Sequence, residues 1–228
     1  MKTKNNFRLL TAAIIISLTA TSCQKEDNTP TASQDASMEK SAAPMRTTEV
    51  VHFEDFIQDY NFQPLVNDTS LVFEAVAHNP VTAPDGHQVT FAEINAVTGR
   101  ASIKCVNAGT HVVLNMHGLI PSGVYSFFVT TFQSPGFTPT FEFMTADGVI
   151  GAIDGSQSTI TADANGDGSI SAIVRAGPLS EFGSIGPCLT GEFQVFFTAG
   201  YHIDGMSHGP VPGPPGTCVF PYGFVFQN

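Results

Sequence analysis

Short apolar segments with a two-residue period, each closed off by Gly, Pro, Asn or Asp, constrain this chain more than any other feature. SLVFEAVA (70–77), HQVTFAEI (87–94), RASIKCV (100–106), THVVLNMH (110–117), VYSFFVTTF (124–132), STITADA (158–164), GSISAIV (168–174) and EFQVFFTA (192–199) are β-branched or aromatic and too short for free-standing helices. No long amphipathic helix can be read beside them. The expected class is therefore all-β, an antiparallel β-sandwich with long loops.

The region able to fold this way is bounded by composition. Residues 24–48 are rich in Ser, Thr, Ala, Pro and charge, and bury too little to offset their ordering entropy. All phenylalanines except Phe7 lie beyond Val50. The sequence thus divides into residues 1–22, a tether at 23–49, and a single β-sandwich domain at 50–228. From Val50 onward three basic side chains, Arg100, Lys104 and Arg175, face fifteen acidic ones, a formal balance of −12. Such a surface repels phosphate, which excludes nucleic acid as a partner. The absence of Trp disfavours a sugar-stacking surface.

The first segment reads as an address. Lys2, Lys4 and Arg8 precede an apolar run from Leu9 to Ala20 that is too short to span a bilayer. It ends in ATSC (20–23), which resembles the lipobox of bacterial lipoproteins, although Ala20 stands where a larger aliphatic residue is usual. That resemblance implies cleavage before Cys23 and lipid on Cys23, so that the membrane is a partner through the N-terminal lipid. The following QKEDN resembles the short export tag of some lipoproteins, which implies the outer membrane and a surface facing the cell exterior.

In HGLIPSGVYSF, Leu119, Pro121 and Tyr125 have the spacing L-x-P-x-x-x-Y. This resembles the corner at which fibronectin type III and immunoglobulin-like domains pass between sheets, where the tyrosine hydroxyl bonds to upstream backbone. The resemblance implies an immunoglobulin/cupredoxin-like Greek key.

With Cys23 lipidated, Cys105, Cys188 and Cys218 remain, so one pair and one leftover thiol are expected in an oxidising compartment. Cys105 alternates with Ala101 and Ile103 on an inward face, and the favoured pair is Cys105 with Cys188. No G-x-S-x-G elbow or Cys and His arrangement supports nucleophilic catalysis, so a catalytic role is disfavoured. DANGDGSIS (163–171) matches the first half of a calcium loop, but Val174 stands where the bidentate acid is needed. A β-hairpin turning on Asn-Gly and Asp-Gly is the expectation, and calcium is disfavoured.

The stretch YHIDGMSHGPVPGPPG (201–216) raises a metal question. If it stays extended, His202, Asp204, Met206 and His208 share a face. His202 and His208 would then stand roughly 20 Å apart and could not hold one ion. Met206 and His208, joined by His117 from another strand end, form an imidazole and thioether set that would select copper, above all the reduced ion. The alternative is histidines at strand ends and methionines filling gaps. Two functions follow as expectations. One is a lipid-anchored envelope protein acting as a non-catalytic binding module through loops at 133–139 and 209–217. The other is a copper-binding or redox protein on a similar sandwich.

Overall fold

The computed structural model describes residues 44–132, 144–175, 188–192 and 194–227. Cys23, the tether up to residue 43 and the loop at 133–139 lie outside the described residues. In chain order the strands are β1 (Arg46–His52), β2 (Ile57–Gln58), β3 (Phe73–Glu74), β4 (Thr98–Val106), β5 (Gly109–His117), β6 (Val124–Phe132), β7 (Met144–Val149), β8 (Thr159–Thr161), β9 (Gly168–Arg175), β10 (Gln194–His202) and β11 (Cys218–Gln227). A single helical turn, α1 (Phe91–Asn95), lies between β3 and β4.

The pairing is antiparallel throughout. One sheet runs β1-β4-β5-β9, and the other runs β1-β11-β10-β6-β7, with β8 also on β6. β1 serves both. Its first part pairs with β4, from Arg46↔Ile103 to Glu49↔Arg100, and its last part pairs with β11, from Val50↔Phe224 to His52↔Tyr222. A strand that changes sheets lets two faces close over one core.

That core is built from alternate residues of both sheets. Ala101 and Ile103 of β4, Val112 and Leu114 of β5, and Ile170 of β9 join Tyr125 and Phe127 of β6, Phe197 and Tyr201 of β10, and Tyr222 and Phe224 of β11 in one cluster. The expected all-β antiparallel sandwich is the fold. Its corner is also made as the L-x-P-x-x-x-Y spacing implies: the Ile120 N–H donates to the buried Tyr125 hydroxyl at 2.9 Å, with Leu119 buried beside it.

Four elements differ from the sequence reading. Residues 91–95 are helical rather than extended because Thr90 and Glu93 form a reciprocal capping box, and within 70–77 only Phe73–Glu74 is a strand. The DANGDGSIS turn is not a hairpin: β8 pairs with β6 and β9 with β5, so the segment arches from one sheet to the other. Asp163 holds the arch by accepting, through Oδ1, from the Asn165 and Asp167 N–H groups at 2.8 and 2.9 Å. Finally, β1 starts at Arg46, four residues inside the stretch read as tether.

Cys105 and Cys188 are bridged, with Cα atoms 5.8 Å apart across a sequence separation of 83, and Cys218 is a free thiol. Closing a loop of that length stabilises the fold by about 4 kcal/mol in the chain-entropy account. The bridge ties the 3-10 turn Leu189–Gly191 to the edge of β4.

Tyr125→Phe leaves the Ile120 N–H buried without an acceptor. Urea unfolding should show a loss of roughly 1 to 3 kcal/mol with little change in m-value. A variant as stable as the parent would show that the corner hydrogen bond contributes nothing.

Candidate functional site

β6 and β10 carry large apolar side chains on both faces, with Phe128, Phe132 and Phe196 beside Thr130 and Thr198 on the outer one, and this sets the functional surface. Phe132 and Phe196 are buried, yet they lie outside the core cluster, on the opposite face of their sheet. The chain after β1 turns back over this outer face. The Phe53 N–H donates to Pro221 O at 2.8 Å, and the Phe53 ring lies over Gly223, where an added Cβ would meet it at 2.9 Å. The 3-10 turn Glu54–Phe56 then brings Phe56 against Phe220, ring centroids 6.2 Å apart.

The result is a groove of about 520 Å³ bounded by Phe53, Phe56, Phe132 and Phe196, with His52, Glu54 and Asp55 at its margin. A second cavity of about 250 Å³ shares Phe56, Thr130 and Thr198 with it and extends to Pro210 and Pro212. Those prolines belong to the loop after β10, which carries the ionisable part of the site.

The strand does not continue past His202. The Gly205 N–H donates to His202 O at 3.1 Å, and Gly205 takes φ +71°, a left-handed conformation that costs glycine little. The chain therefore reverses, and His208 comes back to His202 with ring centroids 5.6 Å apart. The wide separation expected of His202 and His208 in a straight strand is thus corrected by one turn. A ring nitrogen of His202, a carboxylate oxygen of Asp204 and a ring nitrogen of His208 all lie within 4.8 Å of one another.

Hydrogen bonds fix each member. His208 Nε2 donates to Asp204 Oδ2 at 2.9 Å, and Asp204 Oδ1 also accepts from the Met206 N–H at 3.1 Å. The His208 ring is backed by Gly213, where an added Cβ would come within 2.3 Å of it. His202 is 1 % exposed. Its Nε2 lies 2.8 Å from Ser126 Oγ, which lies 3.0 Å from Thr159 Oγ1, and the Thr159 hydroxyl donates to Gly155 O at 3.3 Å. Thr159 Oγ1 also lies 2.9 Å from Ser207 Oγ, so a chain of hydroxyls runs from His202 Nε2 through Ser126 and Thr159 to Ser207. On the other side of the ring, Nδ1 is buried with no hydrogen-bond partner.

Electrostatics favour the neutral ring. Burial, reinforced by the neighbouring His208, pushes His202 down to about 4, against a smaller opposing pull from Asp204. Burial works to raise Asp204, but hydrogen bonds from His208 and the Met206 N–H outweigh it and hold the carboxyl below its usual range. Cys218, the cross-strand partner of His202, is pushed up to about 12 by burial and by Asp204, so it is a neutral thiol.

The residues singled out from sequence are distributed differently. Of His117, Met206 and His208, only His208 belongs to the cluster. His117 Nδ1 pairs with Asp167 Oδ1 at 2.7 Å on the arch, and Met206 is 58 % exposed. His202 and Asp204 are the members that sequence reasoning missed as ligands, and Gly205 was the signal that the strand ends there.

Comparison with family models, with curated proteins and with solved structures gave no match to this chain.

Because His202 sits near 4 in the fold and about 6.5 when unfolded, the unfolded chain binds the extra proton between those values. Its contribution to stability is complete above about pH 6.5 and is lost as pH falls toward 4. Carboxylates held below their usual range act lower down the scale. Denaturant melts at pH 7.0, 6.0 and 5.0 should show declining stability in the parent and a flatter dependence in His202→Gln. Equal slopes would mean that His202 is not buried neutral.

Proposed function

We propose that this chain is a lipid-anchored cell-envelope protein, held to the outer membrane through Cys23 and facing the cell exterior. Its β-sandwich acts as a non-catalytic module that binds a small, largely apolar ligand. The anchor is supported by the basic start, the short apolar run and the ATSC sequence.

The observation that carries the binding role is the groove on the outer face of the β6 and β10 sheet. Outer faces of sandwiches are normally polar, and here Phe128, Phe132 and Phe196 stand among Ser126, Thr130 and Thr198. A volume of about 520 Å³ suits a small molecule rather than a polypeptide segment. Glu54 and Asp55 at the margin, together with the formal balance of −12 beyond Val50, favour a neutral or cationic ligand over an anionic one.

Phe56 is 44 % exposed and can be changed without opening the core. N-phenyl-1-naphthylamine should bind at one equivalent with a fluorescence rise, and Phe56→Ser should weaken it roughly tenfold, the scale expected for losing one aromatic wall. Uptake undiminished in the variant would remove the groove as the binding site. Independently, Cys23→Ala should move the chain from the membrane fraction to the soluble fraction. Unchanged fractionation with undiminished fatty-acid labelling would refute the anchor.

A further inference from the structure

The loop after β10 carries a second function. We propose that His202 Nδ1, Asp204 and His208 form a binding site for a borderline divalent transition-metal ion, Zn²⁺ or Cu²⁺, with solvent completing its coordination.

Four observations converge on these residues. A ring nitrogen of each histidine and a carboxylate oxygen of Asp204 already lie within 4.8 Å of one another. Around an ion with bonds near 2.1 Å, donors stand about 3.4 Å apart, so closure takes about an ångström of movement. Nδ1 of His202 is buried with no partner among the described residues, and an unpaired buried polar atom of this kind is costly. The hydroxyl chain from His202 Nε2 through Ser126 to Thr159 is the kind of outer support that metal-ligating imidazoles have, holding the ring orientation. Finally, Pro210, Pro212, Pro214 and Pro215 limit the conformations of the loop, which reduces the entropy lost when it closes on an ion.

The donor set decides the metal. Two imidazoles with a carboxylate are harder than an imidazole and thioether set, so the site selects Zn²⁺ or Cu²⁺ rather than reduced copper. Two nitrogen donors also disfavour Ca²⁺ and Mg²⁺, which take oxygen. Binding replaces the His208 Nε2–H···Asp204 hydrogen bond with two bonds to the ion. The Nε2 proton moves to Nδ1 in a neutral ring or leaves to solvent from a protonated one. Affinity therefore falls as the solution is acidified.

The experiment is titration of the chelator-treated full chain with ZnCl₂ and separately with CuCl₂, by calorimetry and by thermal melting. One equivalent should bind and raise Tm. His208→Ala and Asp204→Asn, both changes in the loop rather than the core, should each weaken binding at least tenfold and abolish the Tm rise. Ser126→Ala, which removes the support and keeps all three ligands, should weaken it about tenfold. His117→Ala should bind as the parent does. With Cu²⁺ bound, electron paramagnetic resonance should show nitrogen couplings from two imidazoles in the parent and from one in His208→Ala. Absence of stoichiometric binding, or binding lost equally in His117→Ala, would overturn the proposal. Neither result bears on the groove, whose probe carries no metal.

Discussion

Seven residues of β1 carry the hydrogen-bond ladders of two sheets, and everything that defines the surface of this protein depends on that division. A backbone that pairs with β4 at one end and β11 at the other changes partner between Glu49 and Val50, and the Phe53 N–H goes on to bond Pro221 O of β11. The change aims the following residues across the outer face of the second sheet. Phe53 and Phe56 thereby become walls of a groove instead of members of the core. A strand confined to one sheet would have left Phe132 and Phe196 without that covering.

The outer layer is completed from the other side by the loop after β10. Its closeness to the sheet is visible at Ser207, whose Oγ lies 2.9 Å from Thr159 Oγ1, and at Pro210 and Pro212, which line a cavity with Phe128 and Phe220, while at Gly200 an added Cβ would meet the Phe220 and Phe128 rings at 2.9 and 3.2 Å. Small residues in β10 let the loop and the β11 aromatics settle on the sheet. The same closeness strips water from His202 and makes its uncharged form the stable one. Apolar packing and the ionic cluster are thus two results of one covering layer.

Much of this was legible in the residue order. Alternation in RASIKCV and THVVLNMH identifies Ala101, Ile103, Val112 and Leu114 as inward, and L-x-P-x-x-x-Y locates the corner that Tyr125 closes. The cysteine pairing was legible too, because Cys105 follows that alternation. Other elements were hidden for physical reasons. HQVTFAEI fits strand and helix equally, and only the Thr90 and Glu93 cap separates them. β11 carries Pro221 and Gly223, which argue against a strand, but Pro221 falls where the β10 and β11 register shifts between Ala199 and Tyr201, a position that needs no proline N–H. The His202 cluster depends on a reversal at Gly205, and pairwise spacing along a straight strand conceals any contact made by turning back.

The position of Cys218 matters for how the chain matures. A thiol pushed up to about 12 is almost entirely protonated at neutral pH, and the thiolate is the species that attacks disulfides. The docked β11 therefore isolates a third cysteine that could otherwise exchange with the Cys105–Cys188 bridge. β11 pairs with β1 across most of the sequence, a long-range contact of the kind that forms slowly. Before it forms, Cys218 has ordinary thiol reactivity. Bridge fidelity is then a contest between strand docking and thiol exchange, and a chain made from its amino end has Cys105 and Cys188 available first.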